Sequence, residues 1–328
     1  MRLVRLTLCG LAAGLLLAGA ATSSQAQGSQ TPNWPQRPVK FIVPFGPGAG
    51  ADIGARLIQD KLSQRWGKPV VIENRPGADS IVAIQALLSA NDDHTFMFGP
   101  SGNFIVHPYQ YQKMPYDPNE LVPIARYSAT ILSLGVPGSL NINSLGDFVK
   151  HAQAEAGKLN SAAVPGITEL AFDYFAKKAG VTTTKVPYRD IVQAAADLAE
   201  NRLQVYTSSY AIQRPYREGN RVKVLAQMGA KRAPSLPDIP TAVEQGFPAL
   251  EMEGLVGLFG TKAVSAELRE KIGADIVAVA SDKEVEDKLN ATAQSPARGG
   301  AKEFTDHIDR QKAQIATIVK ELGIQPTR

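Results

Sequence analysis

A glycine-rich loop between a short strand and a helix constrains this chain more than any other feature. The apolar run 41–43 consists of strand formers and ends at Pro44, and a loop with Gly46, Gly48 and Gly50 follows. Asp52 then begins an amphipathic pattern. Its apolar residues are spaced mostly by four, as one buried helix face requires: Ile53, Leu57, Ile58, Leu62 and Trp66. The stretch predicts a strand, a tight loop and a helix start.

This arrangement offers backbone N–H groups to an anion. The first N–H groups of a helix have no intrahelical acceptor, and glycine lets a ligand approach the backbone closely. We therefore predict a loop that binds a negatively charged small molecule. Two other interpretations stay open. The glycines can serve the geometry of a tight turn alone. The spacing Gly46-x-Gly48-x-x-Ala51, with Glu73 after the apolar run 70–72, also fits a loose dinucleotide-binding fingerprint.

The first 26 residues have the pattern of a secretory signal. Arg2 and Arg5 form a positive start, residues 6–21 form an apolar core, and Ser24-Gln25-Ala26 is a small-x-small cleavage site. The two arginines are not adjacent, so this is not the twin-arginine signal that exports prefolded cofactor proteins. We expect cleavage near Ala26 and a mature protein in the periplasm.

Composition narrows the function classes. Removing the signal takes away Cys9, the single cysteine, so the remaining 302 residues hold no disulfide, thiolate zinc site or cysteine nucleophile. The count of 35 Lys and Arg against 31 Asp and Glu includes both signal arginines, which leaves a mature net charge of +2. These charges are mixed along the chain, so nothing supports nucleic-acid binding. The four histidines show no metal-ligand spacing, and neither a metal nor a cofactor is expected.

Alternating strands and helices predict an α/β protein whose sheets are mostly parallel. The strands are expected at 39–43, 68–73, 95–98, 125–136, 159–167 (with its loop), 185–188, 203–207, 222–227 and 252–260. The helices are expected at 52–66, 80–90, 145–156, 168–179, 190–200, 265–280, 283–293 and 301–322. Residues 234–240 are proline-rich and expected to be irregular.

The order of these elements predicts two lobes. The chain builds one α/β series, then a second, and the strand 252–260 returns to the first. We assign 27–131 plus 253–328 to the first lobe and 132–252 to the second, with a ligand cleft between them. In such sheets ligands bind at the carboxyl ends of the strands, so the loops 44–52 and 99–103 are expected to face one cleft.

Several longer motifs resemble one family over the whole mature chain. They are Trp34-Pro-x-Arg-Pro-Val-Lys40 with the strand and loop after it, Asp52-x-x-Ala-Arg56, Val71-Ile-Glu-Asn-Arg-Pro-Gly77, Met114-Pro-Tyr-Asp117, Lys185-Val-Pro-Tyr188 and Lys231-Arg-x-Pro-x-Leu-Pro-Asp-Ile-Pro-Thr241. On these motifs the chain resembles the Bug-type receptors, the periplasmic substrate-binding proteins of tripartite tricarboxylate transporters.

The resemblance implies a two-lobed clamp of the class II periplasmic type that binds a small carboxylated solute. It implies that backbone amides and ordered waters from the first loop and its neighbours hold the ligand carboxylate. By motif position the ligand-binding residues are expected to be Phe45, Gly46, Gly48, Asp52, Ser101, Gly102, Asn103, Ala163, Gly166, Thr168, Tyr188 and Ser208. Asp52 can cap its helix, accept an N–H from the ligand, or do both. Tyr188 can close over a ligand or seat a strand end against the core.

This sequence departs from the family pattern beside the predicted cleft. Gly48-Ala49-Gly50 stands where paired glycines are usual, and His107-Pro108 where Asn-Pro is usual. The usual Gly/Ser-rich loop followed by His-Leu-Ala is replaced by 162–168 before Glu169-Leu-Ala, and 201–204 lacks the usual aspartate. We therefore expect fewer direct anion contacts from the second lobe.

The sequence favours a binding protein over an enzyme. We expect a monomeric receptor that delivers a small carboxylate to integral-membrane transporter subunits. One alternative is an exported enzyme, either a hydrolase using Ser101 or a nucleotide-dependent oxidoreductase using the glycine fingerprint. Ser101 lies in Gly-Pro-Ser-Gly rather than Gly-x-Ser-x-Gly, and no pattern pairs it with a base. A second alternative is a ligand sensor for a signalling partner, which the sequence does not separate from transport.

Overall fold

The computed structural model describes residues 34–188 and 190–326. The predicted signal and its cleavage site near Ala26 lie outside these residues. The strands are β1 (Val39–Val43), β2 (Val70–Asn74), β3 (Thr95–Pro100), β4 (Val122–Thr130), β5 (Leu132–Pro137), β6 (Asn160–Ala163), β7 (Thr184–Lys185), β8 (Val205–Ser209), β9 (Val222–Gln227), β10 (Gly254–Gly260) and β11 (Gln294–Gly299). The helices are α1 (Gly50–Trp66), α2 (Ile81–Ala90), α3 (Gly102–Gln110), α4 (Leu145–Ala154), α5 (Ile167–Ala179), α6 (Ile191–Ala199), α7 (Tyr210–Glu218), α8 (Ala266–Ala280), α9 (Lys283–Ala291) and α10 (Ala301–Leu322).

In the described part of the chain these strands form two sheets, which define two lobes. The first lobe has the six-stranded order β11-β4-β10-β3-β1-β2, and the second has the five-stranded order β7-β6-β8-β5-β9. Both sheets are mixed, because β10 and β11 run antiparallel to their neighbours in the first and β5 does so in the second. The remaining strands of each sheet share one direction, so the expected α/β lobes with mostly parallel strands are confirmed.

The period-two pattern of the first sheet sends alternate side chains to two helical layers. Phe41 of β1 and Phe96 of β3 face the layer of α1, α8 and α9, while their neighbours Ile42 and Met97 face α2, α3 and α10. Each face is therefore apolar, as a sheet covered on both sides requires. The second sheet is covered by α4 and α5 on one face and by α6 and α7 on the other.

The predicted strand 125–136 is wrong as a single element. It is broken at Ile131, where the chain leaves β4 in the first sheet and enters β5 in the second. No turn residue marks the break because the crossing is extended. A second extended crossing runs beside it, since Met252 N donates to Met228 O in the second lobe and Gly254 pairs with Thr130 in the first.

Three elements were not predicted. Helices α3 and α7 contain Pro108 and Pro215, and β11 contains Pro296 and ends in glycine. The two helices were missed because a proline within a sequence pattern normally argues against a helix there. Strand β11 tolerates proline because it lies at the edge of its sheet. Of the predicted strand 185–188, only Lys185 lies in a strand, the two-residue β7.

The two lobes are in contact on the side of α3, α5 and α10. One buried apolar cluster runs from the first lobe into the second and includes Phe104 of α3, Ile167 of α5 and Ile315 of α10. At the end of α10, Glu321 accepts a hydrogen bond from Tyr174 of α5 at 2.9 Å. Helix α10 therefore belongs to the first lobe by its sheet contacts but also packs against the second.

No helix within residues 34–188 and 190–326 is long and apolar enough to cross a membrane. Across those same residues, no group of three or more His, Cys, Asp or Glu side chains is arranged to hold a metal ion.

Candidate functional site

The glycine loop lies at the carboxyl end of β1 and leads directly into α1. Helix α1 begins at Gly50, and Asp52 is its third residue, so Asp52 is not the helix cap; Ala49 holds that position without a side-chain hydrogen bond. Gly48 has φ +86°, a conformation that favours glycine. The loop therefore turns sharply at Gly48 before the helix starts.

The Asp52 carboxylate is buried and holds this loop in place. Only 2% of Asp52 is exposed. Its Oδ2 accepts a hydrogen bond from Gly48 N at 2.9 Å, and its Oδ1 accepts one from Asn74 Nδ2 at 2.9 Å. Arg56, one turn along α1, donates from Nε to Oδ1 at 3.0 Å and forms an ion pair with Asp52. Both carboxylate oxygens of Asp52 are thus engaged by protein groups, and they fix the loop from the protein interior.

The electrostatics of this cluster suit a neighbouring anion. Burial by itself would raise the pKa of Asp52, but the hydrogen bonds from Arg56, Gly48 and Asn74 outweigh burial and lower it. Asp52 is therefore ionised at neutral pH, and the Arg56 guanidinium balances its charge. An anion at the start of α1 meets no net negative charge from this pair.

Asn74 belongs to the same hydrogen-bonded cluster, although its sequence position alone did not mark it as a candidate site residue. Besides Asp52, its Nδ2 donates to Phe45 O at 2.8 Å, and its Oδ1 accepts from Arg56 at 3.1 Å. The parallel pairing of β1 with β2 places Asn74 beside Val43, immediately before the loop. Pairing the two predicted strands in parallel would have placed Asn74 next to the loop, so strand pairing is the sequence signal that could have found this residue.

The loop and the start of α1 combine free space with backbone N–H groups that lie ahead of the first helical hydrogen bond. The first hydrogen bond of α1 runs from Ile53 N to Ala49 O at 2.9 Å, so the N–H groups of Gly50, Ala51 and Asp52 have no intrahelical acceptor. A β-carbon at Gly46 or Gly48 would meet no atom within 4 Å. The surface over this loop can therefore receive a small anion.

The second predicted loop leads into α3 and is largely buried. Ser101 is fully buried; its N–H donates to Leu255 O at 3.0 Å and its Oγ donates to Gln311 Oε1 at 3.3 Å. Asn103 Nδ2 donates to Ser80 Oγ at 2.8 Å. These two side chains support the loop. Gly102, the first residue of α3, faces the second lobe.

The second-lobe loop that precedes α5 lies against Gly102 of the first lobe. Gly166, with φ +102°, precedes α5, and Ile167 is the first residue of that helix. A β-carbon at Gly102 would lie 2.8 Å from Ile167 Cδ1, and one at Gly166 would lie 3.7 Å from Asn103 Oδ1. Thr168 is buried in the first turn of α5, and Ala163 is half-buried at the end of β6. The structure thus brings Gly102, Asn103 and Gly166 together.

Tyr188 and Ser208 are bonded within the second lobe. Tyr188 OH donates to Asp197 Oδ2 at 2.7 Å, and burial together with that bond raises the pKa of Tyr188 to about 12. Ser208 is fully buried, and its Oγ accepts from Gln213 Nε2 at 2.9 Å. Tyr188 also packs against the apolar core of the second lobe, and its contact with a ligand stays a prediction.

The segment 78–80, after β2, also lies beside Pro165 and Gly166 of the second lobe, and no sequence signal indicated it. Ala78, Asp79 and Ser80 have φ values of +44°, +51° and +78°, which is a rare run for residues other than glycine. His107 is buried; its Nε2 lies 3.0 Å from Asp79 O, and its Nδ1 lies 2.7 Å from Tyr116 OH. The buried His107 therefore contacts the backbone of this segment and helps to hold it in place.

The groups needed by the enzyme alternatives have other partners. Glu73, the acidic residue of the dinucleotide fingerprint, forms ion pairs with Lys40 at 2.7 Å and with Arg75. The Ser101 hydroxyl is bonded to the Gln311 amide, which cannot act as a general base. Glu73 is therefore engaged by two cations, and Ser101 has no general base as its hydrogen-bond partner among the described residues.

Comparison with known proteins gives a consistent result. The chain matches the family model of the tripartite tricarboxylate transporter family receptor over residues 54–324. It is 31% identical over 314 residues to a UPF0065 protein from the tcbD-tcbE intergenic region of Pseudomonas sp. (strain P51), and the match covers 94% of this chain and 93% of that protein.

Two solved structures are similar in fold. A structure described as a periplasmic transporter has a TM-score of 0.80 at 25% identity, covering 89% of this chain and 99% of its own. The R. palustris protein Rpa4515, solved with adipate, has a TM-score of 0.78 at 28% identity, covering 90% of this chain and 100% of its own.

Proposed function

Because the chain belongs to the receptor family of the tripartite tricarboxylate transporters, we propose that it binds a small carboxylated solute between its two lobes and delivers it to the membrane subunits of such a transporter. It does so in the periplasm, as a monomer, after signal cleavage near Ala26. It binds its solute without catalysing a reaction. Its first lobe comprises 27–131 plus 253–328, and its second comprises 132–252.

The observation that carries this proposal is the loop 45–50 at the start of α1. Three backbone N–H groups lie ahead of the first helical hydrogen bond, and the space over Gly46 and Gly48 is open. A carboxylate there accepts hydrogen bonds from the backbone and interacts favourably with the helix dipole. Phe45, Gly46, Gly48 and Gly50 then contact the solute, while Asp52, Arg56 and Asn74 fix the loop.

The charge of the Asp52–Arg56 pair is consistent with this role. An uncompensated carboxylate beneath the loop would repel an anionic solute, but Arg56 lies 2.9 Å from Asp52 Oδ1 and offsets that charge. The adipate bound to the related Rpa4515 protein supports a carboxylate as the solute of this chain as well.

A thermal-shift screen of the mature protein tests the proposal. The panel contains mono-, di- and tricarboxylates, aromatic acids, amino acids and NAD(H). A ligand at 100 times its Kd stabilises the folded state by about 2.7 kcal/mol, which raises the Tm measurably. We expect a rise with at least one acid and none with NAD(H). A response to NAD(H) alone would favour the dinucleotide alternative and contradict the proposal.

A further inference from the structure

One side chain of the second lobe packs against the start of α3 in the first lobe. Ile167, at the start of α5, packs against Gly102, at the start of α3; besides the 2.8 Å to Cδ1, a β-carbon at Gly102 would lie 3.0 Å from both Cγ1 and Cγ2 of Ile167. Only 7% of Ile167 is exposed. An apolar side chain therefore covers the start of α3.

Little space is left beyond this contact. The gap that follows it is lined by Asp79, Asn103, His107, Gln110, Pro165 and Gly166, and its volume is about 10 Å³. That is room for roughly one water molecule. A solute with several carbon atoms cannot extend in this direction while the two lobes are in contact.

In the part of the chain that the structure describes, the loop before α1, unlike the start of α3, is not covered by a side chain of the second lobe. No atom lies within 4 Å of the β-carbon positions of Gly46 and Gly48, whereas three carbon atoms of Ile167 crowd that of Gly102. The two glycine loops of the first lobe are therefore not equivalent. One is open to a solute, and the other is covered by the second lobe.

We propose that Ile167 is a specificity-determining residue that limits the length of the bound acid. It blocks the α3 side and confines the solute to the space over the loop 45–50, so short acids bind and longer ones are excluded. This inference rests on the proposed carboxylate-binding function. It adds a size limit and assigns that limit to one side chain.

Isothermal titration of wild type, Ile167→Ala and Ile167→Val with mono- and dicarboxylates of two to six carbons tests the size limit. One methylene in a closed apolar site changes affinity by about tenfold or more. For wild type we expect succinate to bind at least about tenfold more tightly than adipate. Ile167→Ala should reduce that ratio by about tenfold, and Ile167→Val should reduce it less.

Val192→Ala is the matched control, because Val192 lies in the first turn of α6 and is 55% exposed. It should keep the wild-type chain-length profile. Wild-type affinity that does not fall from succinate to adipate would overturn the inference while leaving the proposed function intact. So would an Ile167→Val profile identical to wild type, even if Ile167→Ala does not fold. If no acid binds to wild type, the proposed function fails and the size limit falls with it.

Discussion

The carboxylate of Asp52 accepts a hydrogen bond from the backbone N–H of Gly48 at 2.9 Å and thereby fixes the loop that precedes α1. Asn74 reinforces the same loop by donating to Phe45 O. Asp52 therefore positions the backbone that we propose to bind an anion. Its own carboxylate does not occupy the anion site.

Replacing Asp52 by Ala should lower both stability and ligand affinity. The change removes an acceptor from Gly48, Arg56 and Asn74, and losing buried hydrogen-bond partners costs about 1–3 kcal/mol. Denaturant unfolding should give a free energy of unfolding lower by that amount, and calorimetry should show weaker acid binding. Unchanged affinity in a folded Asp52→Ala variant would contradict the positioning role.

The contribution of Asp52 should depend on pH in a defined direction. Its folded-state pKa is lowered below the ordinary 3.8, so its stabilisation is fully present above that value and is lost as the pH falls through the folded pKa. The difference in unfolding free energy between wild type and Asp52→Ala should be constant from pH 5 to 7 and narrow below 3.8. A difference that widens on acidification would show that the sign is wrong.

Asp275 provides a test that separates stability from binding. It is a buried residue of α8, and it accepts hydrogen bonds from Trp66 Nε1 at 2.9 Å and from Lys271 at 3.0 Å and pairs with Arg65. Asp275→Ala should lower the free energy of unfolding by about 1–3 kcal/mol. Acid affinity at a temperature where the variant is fully folded should equal that of wild type. A loss of affinity as large as that of Asp52→Ala would indicate that the Asp52 effect is global.

Gly102 should not tolerate a larger residue while Ile167 is present. The β-carbon of Gly102→Ala would displace the Ile167 side chain, and overpacking of this kind costs about 1–3 kcal/mol. We expect weaker acid binding in Gly102→Ala, because the two lobes are held apart. The double variant with Ile167→Ala should recover part of the loss, which a double-mutant cycle measures as a coupling energy. Additive effects would mean that the two residues do not interact in the bound state.

The sequence predicted elements whose signal is local. The bounds of α10 are those expected from the sequence, because Phe304, Ile308, Ile315 and Val319 repeat along one face of it and Gly323 ends it. The first strand, loop and helix were also predicted, although α1 starts two residues earlier than expected.

Features that depend on distant parts of the chain were not predicted. The crossing at Ile131 has strand formers on both sides, and only the sheet pairing shows that the strand is two strands. The contact between Gly102 and Ile167 joins residues of different lobes, so no local pattern reports it. Asn74 lies between these two cases. Its place beside Val43 cannot be predicted locally, but it follows from the strand register once β1 and β2 are paired.

Acid binding by a Gly46→Leu variant shows whether the loop 45–50 is the binding site. Gly46 has free space around its β-carbon position and no positive φ, so a leucine there fills the proposed anion site without straining the backbone. Gly146→Leu, in α4 of the second lobe, is the control. By thermal shift with succinate at 100 times the wild-type Kd, wild type and Gly146→Leu should be stabilised by about 2.7 kcal/mol. Gly46→Leu should fold normally and show no shift; a full shift in that variant would contradict binding over the loop 45–50.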